Sequence, residues 1–170
     1  MKVFLTGFMG AGKTTTGRRL ASRLSYAFVD LDSLVETEEH LTIAGIFAQK
    51  GEIYFREKEA AVLRNIASHD NTVVSTGGGL PCFGDNMAWM NANGITVYLR
   101  LSPEALFQRL LHAREERPLI KEKSHDELLE YIRHTLHERE HFYQQCAIIA
   151  EGLNINVRSL TEQILDYDKS

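Results

Sequence analysis

Cysteine is scarce in this sequence, and long apolar runs are missing from it. The 170 residues contain two cysteines, Cys82 and Cys146, which lie far apart and lack the spacing of metal ligands. We therefore expect reduced structural thiols rather than a disulfide or a metal site. No apolar run approaches the length that crosses a bilayer, and no signal-peptide core precedes the first apolar segment. These absences predict a cytoplasmic protein without membrane contact.

The sequence also lacks an excess of positive charge. Its net charge is −4, which gives no sign of the broad basic surface that nucleic-acid binding requires. Of its residues, 44% are hydrophobic, which is enough for one sizeable core. A chain of 170 residues is too short for two domains of usual size. No exposed apolar stripe stands out, so we expect a monomer with one domain.

The most specific pattern is the glycine-rich segment 7–14, Gly-Phe-Met-Gly-Ala-Gly-Lys-Thr. It follows the apolar run 3–5 and precedes apolar residues at helical spacing, which predicts strand, loop and helix. That context is typical of a P-loop, whose backbone N–H groups and helix dipole neutralise a polyphosphate. Lys13 is predicted to reach the β- and γ-phosphates, and Thr14 to be a Mg²⁺ ligand. The alternative is a glycine-rich turn that binds no phosphate.

Two aspartates, Asp30 and Asp32, end the apolar run 27–29, which predicts a second strand. Residues 33–36, Ser-Leu-Val-Glu, fit a capping box, so a helix is predicted to begin at Ser33. Ligands of parallel sheets bind outside the carboxyl ends of the strands, where these carboxylates fall. They either serve a ligand there or only complement the helix N-terminus. Asp30 is the candidate acidic residue for Mg²⁺, because no aspartate closes the third strand.

An arginine is predicted on the apolar side of the helical segment 52–67, which Gly51 separates from a preceding short helix. This residue, Arg56, needs an anionic partner because a buried unpaired charge is costly. Glu59 lies three residues further along the same face. The pair is either structural, or it directs Arg56 towards a ligand carboxylate.

Further segments complete the expected fold. Residues 71–75 predict the third strand, and three glycines at 77–79 would let another group approach its end closely. A helix predicted over about 126–143 carries a second inward arginine, Arg139. With strands at 95–99 and 146–150, the alternation predicts an α/β protein with a parallel sheet. The charged stretch 112–125 is either a solvated face or a mobile lid that brings Arg114 or Arg117 to a phosphoryl group.

In order and spacing, these segments resemble shikimate kinase along nearly the whole chain. The resemblance is carried by residues 7–15, 30–32, 51–52, 55–56, Glu59, 76–79, 117–119, Arg139 and Tyr143. It implies a P-loop NTPase of the nucleoside-monophosphate-kinase-like type, with a five-stranded parallel β-sheet flanked by helices and a mobile lid. It also implies one domain over 1–170, with the lid at about 112–125 and a shikimate-binding helical region at about 32–62.

The implied reaction is phosphorylation of the 3-hydroxyl of shikimate by ATP, on the route to chorismate and the aromatic amino acids. By matched position, Arg56 and Arg139 would hold the substrate carboxylate, and the Gly78 N–H would contact shikimate. Asp32 would bind hydroxyls and accept the reacting proton. Asp30 would reach Mg²⁺ through water.

The resemblance also assigns the ATP side. Lys13 and Arg117 would neutralise the transferred charge, and Arg109 would lie against the adenine. The implied ATP-binding set is Gly10, Ala11, Gly12, Lys13, Thr14, Thr15, Arg109 and Arg117. Residues 154–158 match the family's adenine-side loop weakly. The alternatives are a gluconate or nucleotide kinase on the same scaffold, and a nucleotide switch without a small-molecule acceptor.

Overall fold

The structure is a computed structural model that describes residues 1–112, 120 and 122–169. Its strands are β1 (Lys2–Thr6), β2 (Ala27–Asp30), β3 (Thr72–Ser75), β4 (Ile95–Arg100) and β5 (Ile148–Glu151). Its α-helices are α1 (Lys13–Leu24), α2 (Leu31–Glu39), α3 (Ile43–Asn65), α4 (Asn86–Asn93), α5 (Pro103–His112), α6 (His125–Tyr143) and α7 (Val157–Tyr167). Short 3₁₀ helices occupy Ile66–Ser68 and Leu80–Cys82.

The strands form one sheet in the order β2-β3-β1-β4-β5. Every neighbouring pair is parallel, and Val3 on the central β1 is in register with Val73 on one side and Ile95 on the other. Strands covered on both faces need apolar residues without alternation, and β1, β3 and β4 are buried along nearly their whole length. The predicted α/β fold with a five-stranded parallel sheet is confirmed.

Helix α2 begins at Leu31, two residues before the predicted start, so the capping box at Ser33 was a wrong prediction. The physical reason is the side chain of Asp30, whose Oδ1 accepts a hydrogen bond from the Ser33 N–H at 3.4 Å and caps the helix. Asp32 therefore lies in the first helical turn. Both aspartates stand at the carboxyl end of β2, as predicted.

Helix α3 is broken at Gly51, whose φ of 84° and ψ of 169° are non-helical. This region of backbone conformation is open almost only to glycine. The break matches the boundary predicted at Gly51 and redirects the second half of the helix, which carries Arg56 and Glu59.

The predicted lid lies mostly outside the described residues, and so do Arg114 and Arg117. At its ends, α5 finishes at His112 and α6 begins at His125 with a capping box between Ser124 and Glu127. Within the described part of the chain, no helix is both long enough and apolar enough to cross a membrane.

Candidate active site

A cleft of about 700 Å³ lies at the carboxyl ends of β1, β2 and β3. It gathers the described positions predicted for the nucleotide and the metal, and two of the four predicted for the acceptor, Asp32 and Gly78; Arg56 and Arg139 do not line it. Its lining is Met9, Gly10, Ala11, Gly12, Lys13, Thr14, Thr15, Thr16, Arg19, Asp30, Asp32, Ser75, Thr76, Gly78, Arg109, Leu153, Asn154 and Ile155. Because residues from five separate segments meet here, this is the candidate active site.

A larger hollow of about 980 Å³ near α5 and α6 is the poorer candidate. Its arginines already have anionic partners: Arg100 pairs with Glu151 at 3.0 Å, and Arg133 pairs with Glu104 at 3.0 Å. It contains no helix N-terminus that follows a glycine-rich loop, so its charges are structural pairs rather than a phosphate site.

The loop before α1 has the backbone that anion binding needs. Gly12 caps α1 with φ 92° and ψ 23°, a left-handed conformation that suits glycine. The first turn contains no acidic residue. Since the first N–H groups of any α-helix have no partner inside the helix, this terminus offers donors and a positive dipole end to an anion. The exposed Thr14 and Thr15 line the cleft there.

Two cations lie against this loop. The Lys13 Nζ donates hydrogen bonds to the carbonyl oxygens of Gly7 at 2.8 Å and Phe8 at 3.0 Å. From the other side, Arg109 donates to the Gly10 carbonyl at 3.1 Å and to the Leu153 carbonyl at 3.2 Å. Arg109 thus bridges the phosphate loop and the segment 153–155, which lines the cleft although its sequence matched weakly.

The two residues predicted for magnesium touch one another. The Thr14 hydroxyl donates to Asp30 Oδ2 at 2.9 Å. A hydroxyl and a carboxylate beside an anion-binding loop are hard oxygen donors, the kind that Mg²⁺ prefers, so the residues present fit this ion. The Asp30 carboxylate is half-buried, and its other oxygen caps α2.

Burial raises the pKa of Asp32 above its ordinary range, and the nearby carboxylates of Asp30 and Glu36 raise it further. The cations Lys13 and Arg56 act in the opposite direction. Desolvation is the largest of these effects. A carboxylate that is less acidic than usual and lies beside a phosphate site is suited to accept a proton from a hydroxyl.

The triple-glycine segment, residues 77–79, brings the acceptor-side groups together. A side-chain carbon added at Gly77 would meet Asp32 Oδ1 at 2.9 Å, and one at Gly78 would meet Arg139 Nη1 at 3.3 Å. At Gly79 it would collide with the Arg56 guanidinium, 2.6 Å from Nη1. The glycines therefore make room for the predicted substrate-binding side chains, and Gly77 also makes room for Glu59, whose Oε1 would lie nearer to the added carbon than Asp32 does. This is the close approach that the sequence predicted.

Arg56 is held by a buried partner. Its Nη1 donates to Glu59 Oε2 at 2.7 Å, and the Glu59 side chain is 1% exposed. The second carboxylate oxygen, Oε1, is buried and has no hydrogen-bond partner among the described residues. Burial raises the pKa of Glu59 to about 7, against the opposing attraction of Arg56. The predicted Arg–Glu pair is present.

Arg139 projects from α6 over the ring of Phe8, with its Cζ 5.9 Å from the ring centroid. One turn later on the same helix, the Tyr143 hydroxyl donates to the Gly78 carbonyl at 2.6 Å. Arg139 is half-buried and Tyr143 is fully buried. The second inward arginine therefore lies beside the glycines, as its position on the helix predicted.

A family model for shikimate kinase matches residues 9–168. The chain belongs to the shikimate kinase family. A shikimate kinase of Bacteroides thetaiotaomicron is 46% identical over 149 residues, which are 88% of this chain and 85% of that protein.

Solved shikimate kinases have the same fold. A crystal structure of shikimate kinase from B. thetaiotaomicron superposes with a TM-score of 0.91 at 40% identity and covers 100% of this chain and 99% of that one. The shikimate kinase of Acinetobacter baumannii, solved in complex with shikimate, gives a TM-score of 0.84 at 33% identity over 98% and 92% of the two chains. The predicted family is confirmed, and these matches favour it over the alternative kinases.

Sequence reasoning missed several cleft residues. Arg19 and Ser75 line the cleft but belong to no motif, and Thr76, which is among the residues that carry the resemblance, had no predicted role. Arg19 follows Thr15 by one helical turn, which was the available signal. Tyr143 is among the residues that carry the resemblance, but nothing in the sequence indicates its bond to Gly78. Arg117 lies outside the described residues.

Proposed function

We propose that this protein transfers the γ-phosphoryl group of ATP to the 3-hydroxyl of shikimate, giving shikimate 3-phosphate and ADP. Membership of the shikimate kinase family supports this reaction, a phosphotransfer to an alcohol in the biosynthesis of the aromatic amino acids. The observation that carries it is the packing of Asp32, Arg139 and Arg56 against three consecutive glycines beside a phosphate-binding loop.

On the acceptor side, Arg56 and Arg139 bind the carboxylate of shikimate. A planar guanidinium donates two parallel hydrogen bonds to a carboxylate, and two of them fix its orientation. The Gly78 N–H adds a backbone contact. Because Glu59 already holds Arg56, the arginine loses little conformational freedom when substrate binds.

Asp32 binds a shikimate hydroxyl and takes the proton of the attacking oxygen. Its raised pKa improves it as a base, while Lys13 and Arg56 keep enough of it ionised to act.

On the donor side, the backbone of residues 10–15 binds the phosphates, and Lys13 neutralises the charge that develops on the transferred group. Thr14 would hold Mg²⁺, and Asp30 would hold it through water; when bound, the ion would supply positive charge to the phosphate oxygens. Arg109 lies against the adenine, where its bonds to Gly10 and Leu153 keep it at the edge of the cleft. Arg117 is assigned to the transferred phosphoryl group by resemblance.

One domain over 1–170 carries the site, with the acceptor region at about 32–62 and a lid at about 112–125. The protein acts in the cytoplasm as a monomer, on small-molecule substrates and without a nucleic-acid partner.

The test is a coupled assay of ADP release with Mg²⁺-ATP and shikimate, gluconate, AMP or no acceptor. Turnover that depends on shikimate alone is expected, because the chain belongs to the shikimate kinase family. Two inward arginines suit an acceptor with a carboxylate and neighbouring hydroxyls. Gluconate contains both groups too and is therefore the sharpest control. ADP release without any acceptor dependence would replace the proposal with a nucleotide switch.

A further inference from the structure

We propose that Tyr143 is a positioning residue for shikimate: its hydroxyl fixes the peptide between Gly78 and Gly79, and with it the backbone between the two substrate-binding arginines. The inference rests on the proposed function and extends it to a residue that would itself touch neither substrate.

The carbonyl groups of the three glycines have different hydrogen-bond partners, and that of Gly78 is Tyr143. The Gly77 carbonyl accepts from the Leu80 N–H at 3.2 Å, and the Gly79 carbonyl accepts from the Cys82 N–H at 3.1 Å. Within the described part of the chain, the bond that holds the Gly78 carbonyl is the one from Tyr143, at 2.6 Å. The turn after β3 thus fixes two of the three carbonyls, and a side chain from α6 fixes the third.

A bond that fixes the Gly78 carbonyl also fixes the N–H of Gly79, which belongs to the same peptide unit. A peptide unit is planar and trans, so the Gly79 N–H points away from the Gly78 carbonyl oxygen. Rotation of that unit would turn the N–H, and any shift of the backbone that accompanied it would displace the two α-carbons that face Arg139 and Arg56. A carbon added at Gly78 would lie 3.3 Å from Arg139 Nη1, and one at Gly79 would lie 2.6 Å from Arg56 Nη1, so a shift of this backbone would change the positions of both guanidinium groups.

The ring of Tyr143 is held in position by packing. It packs against Tyr98 with ring centroids 5.0 Å apart, and the Tyr98 hydroxyl donates to Glu140 Oε2 at 2.7 Å. Burial also raises the pKa of Tyr143 well above its ordinary value, so its hydroxyl remains a donor at all working pH values. The lack of a side chain at Gly78 and Gly79 gives the two arginines room to approach but leaves the backbone less restricted, and Tyr143 restrains it at the central peptide.

The experiment compares Tyr143→Phe with Tyr98→Phe in the ADP-release assay. Each variant removes one hydroxyl from the same pair of packed, buried rings. The Tyr143 hydroxyl bonds to Gly78, whereas the Tyr98 hydroxyl bonds to Glu140. Tyr143→Phe should raise KM for shikimate by roughly 5- to 30-fold, because a buried carbonyl loses its partner and the backbone becomes free to rotate. KM for ATP should stay within about twofold, and Tyr98→Phe should change neither KM.

A second readout needs no turnover. Cys82 is half-buried and its N–H bonds to Gly79, so alkylation of this thiol by iodoacetamide should be faster in Tyr143→Phe than in the natural protein. Thermal melting of both tyrosine variants checks that they are folded. If Tyr143→Phe does not melt cooperatively, p-aminophenylalanine at this position, which keeps the ring and a donor, should give the natural KM for shikimate.

Unchanged KM for shikimate in Tyr143→Phe, an equal rise in Tyr98→Phe, or a raised KM in the p-aminophenylalanine variant would each overturn the inference. Absence of shikimate-dependent turnover in the natural protein would instead overturn the proposed function, so the two failures are distinguishable.

Discussion

The buried Glu59 has a raised pKa, which should make the stability of the folded protein depend on pH. Burial raises its pKa from an ordinary value of 4.5 to about 7, although Arg56 favours the ionised form. The folded protein therefore binds this proton more tightly than the unfolded chain does. By linkage, the tighter proton binding at Glu59 stabilises the folded protein. This contribution to the free energy of unfolding is complete below pH 4.5 and is lost as the pH rises through about 7.

Urea unfolding of the natural protein and of Glu59→Gln, at pH 5 and pH 8, measures this contribution. The free energy of unfolding of the natural protein, relative to the variant, should fall by about 2 to 3 kcal/mol between these pH values. Glu57 is an exposed glutamate on the same helix and provides the control. An equal fall relative to Glu57→Gln would contradict the assignment to Glu59.

Arg56 and Arg139 are expected to serve shikimate and not ATP. Replacing either by alanine should raise KM for shikimate by about 10²-fold, since each removes charge-assisted hydrogen bonds worth roughly 1.5 to 3 kcal/mol apiece. KM for ATP should change little. Arg133→Ala is the matched control, because this arginine lies on α6 but pairs with Glu104 at an exposed site. Unaltered shikimate kinetics in both variants would remove the carboxylate assignment.

Asp32→Asn tests the proton acceptor. The substitution keeps the shape of the side chain and removes its basicity, so kcat should fall by a factor on the order of 10² to 10⁴. Steady-state kinetics at saturating shikimate and ATP measure this directly. A variant that keeps nearly the natural kcat would leave Asp32 with a binding role alone.

At the scale of the elements, the break in α3 determines where Arg56 lies. Gly51 has a conformation that other residues tolerate poorly, with φ 84° and ψ 169°. Gly51→Ala should therefore lower the free energy of unfolding by about 1 to 3 kcal/mol, and it should raise KM for shikimate if the helix straightens.

The control for this prediction is Gly45→Ala, in the first turn of the same helix. Its added carbon would lie 3.2 Å from the Thr42 hydroxyl, and its backbone has no positive φ, so the free energy of unfolding should change by less than about 1 kcal/mol. Denaturant unfolding of both variants gives the comparison. Equal effects would show that conformation at Gly51 is not the cause.

At the scale of the whole molecule, we expect the protein to be a monomer. Among the described residues, the most exposed large apolar side chains are Ile53 on α3, Leu153 in the loop after β5 and Tyr167 on α7, each on a separate segment. A stable dimer requires a contiguous apolar patch. Analytical ultracentrifugation should give a mass near 19.3 kDa. A species of twice that mass at micromolar concentration would contradict the prediction.

The sequence by itself determined the features that depend on neighbouring residues. Residues 7–14 predicted the phosphate loop, alternating apolar segments predicted the α/β fold, and helical spacing placed Arg56 and Arg139 on inward faces. Each of these patterns is local, because backbone conformation and the choice of a buried face depend on residues within a few turns. The same local reasoning failed at α2, where Asp30 competed with Ser33 for the helix cap.

Only the tertiary structure decided which distant groups meet. Strand order set β1 between β3 and β4, and so brought the phosphate loop beside the triple-glycine segment. The bond from Tyr143 to Gly78 joins residues separated by 65 positions. Such a contact depends on how helices pack across the sheet, and that packing is the joint result of the whole core. No local pattern in the sequence contains it.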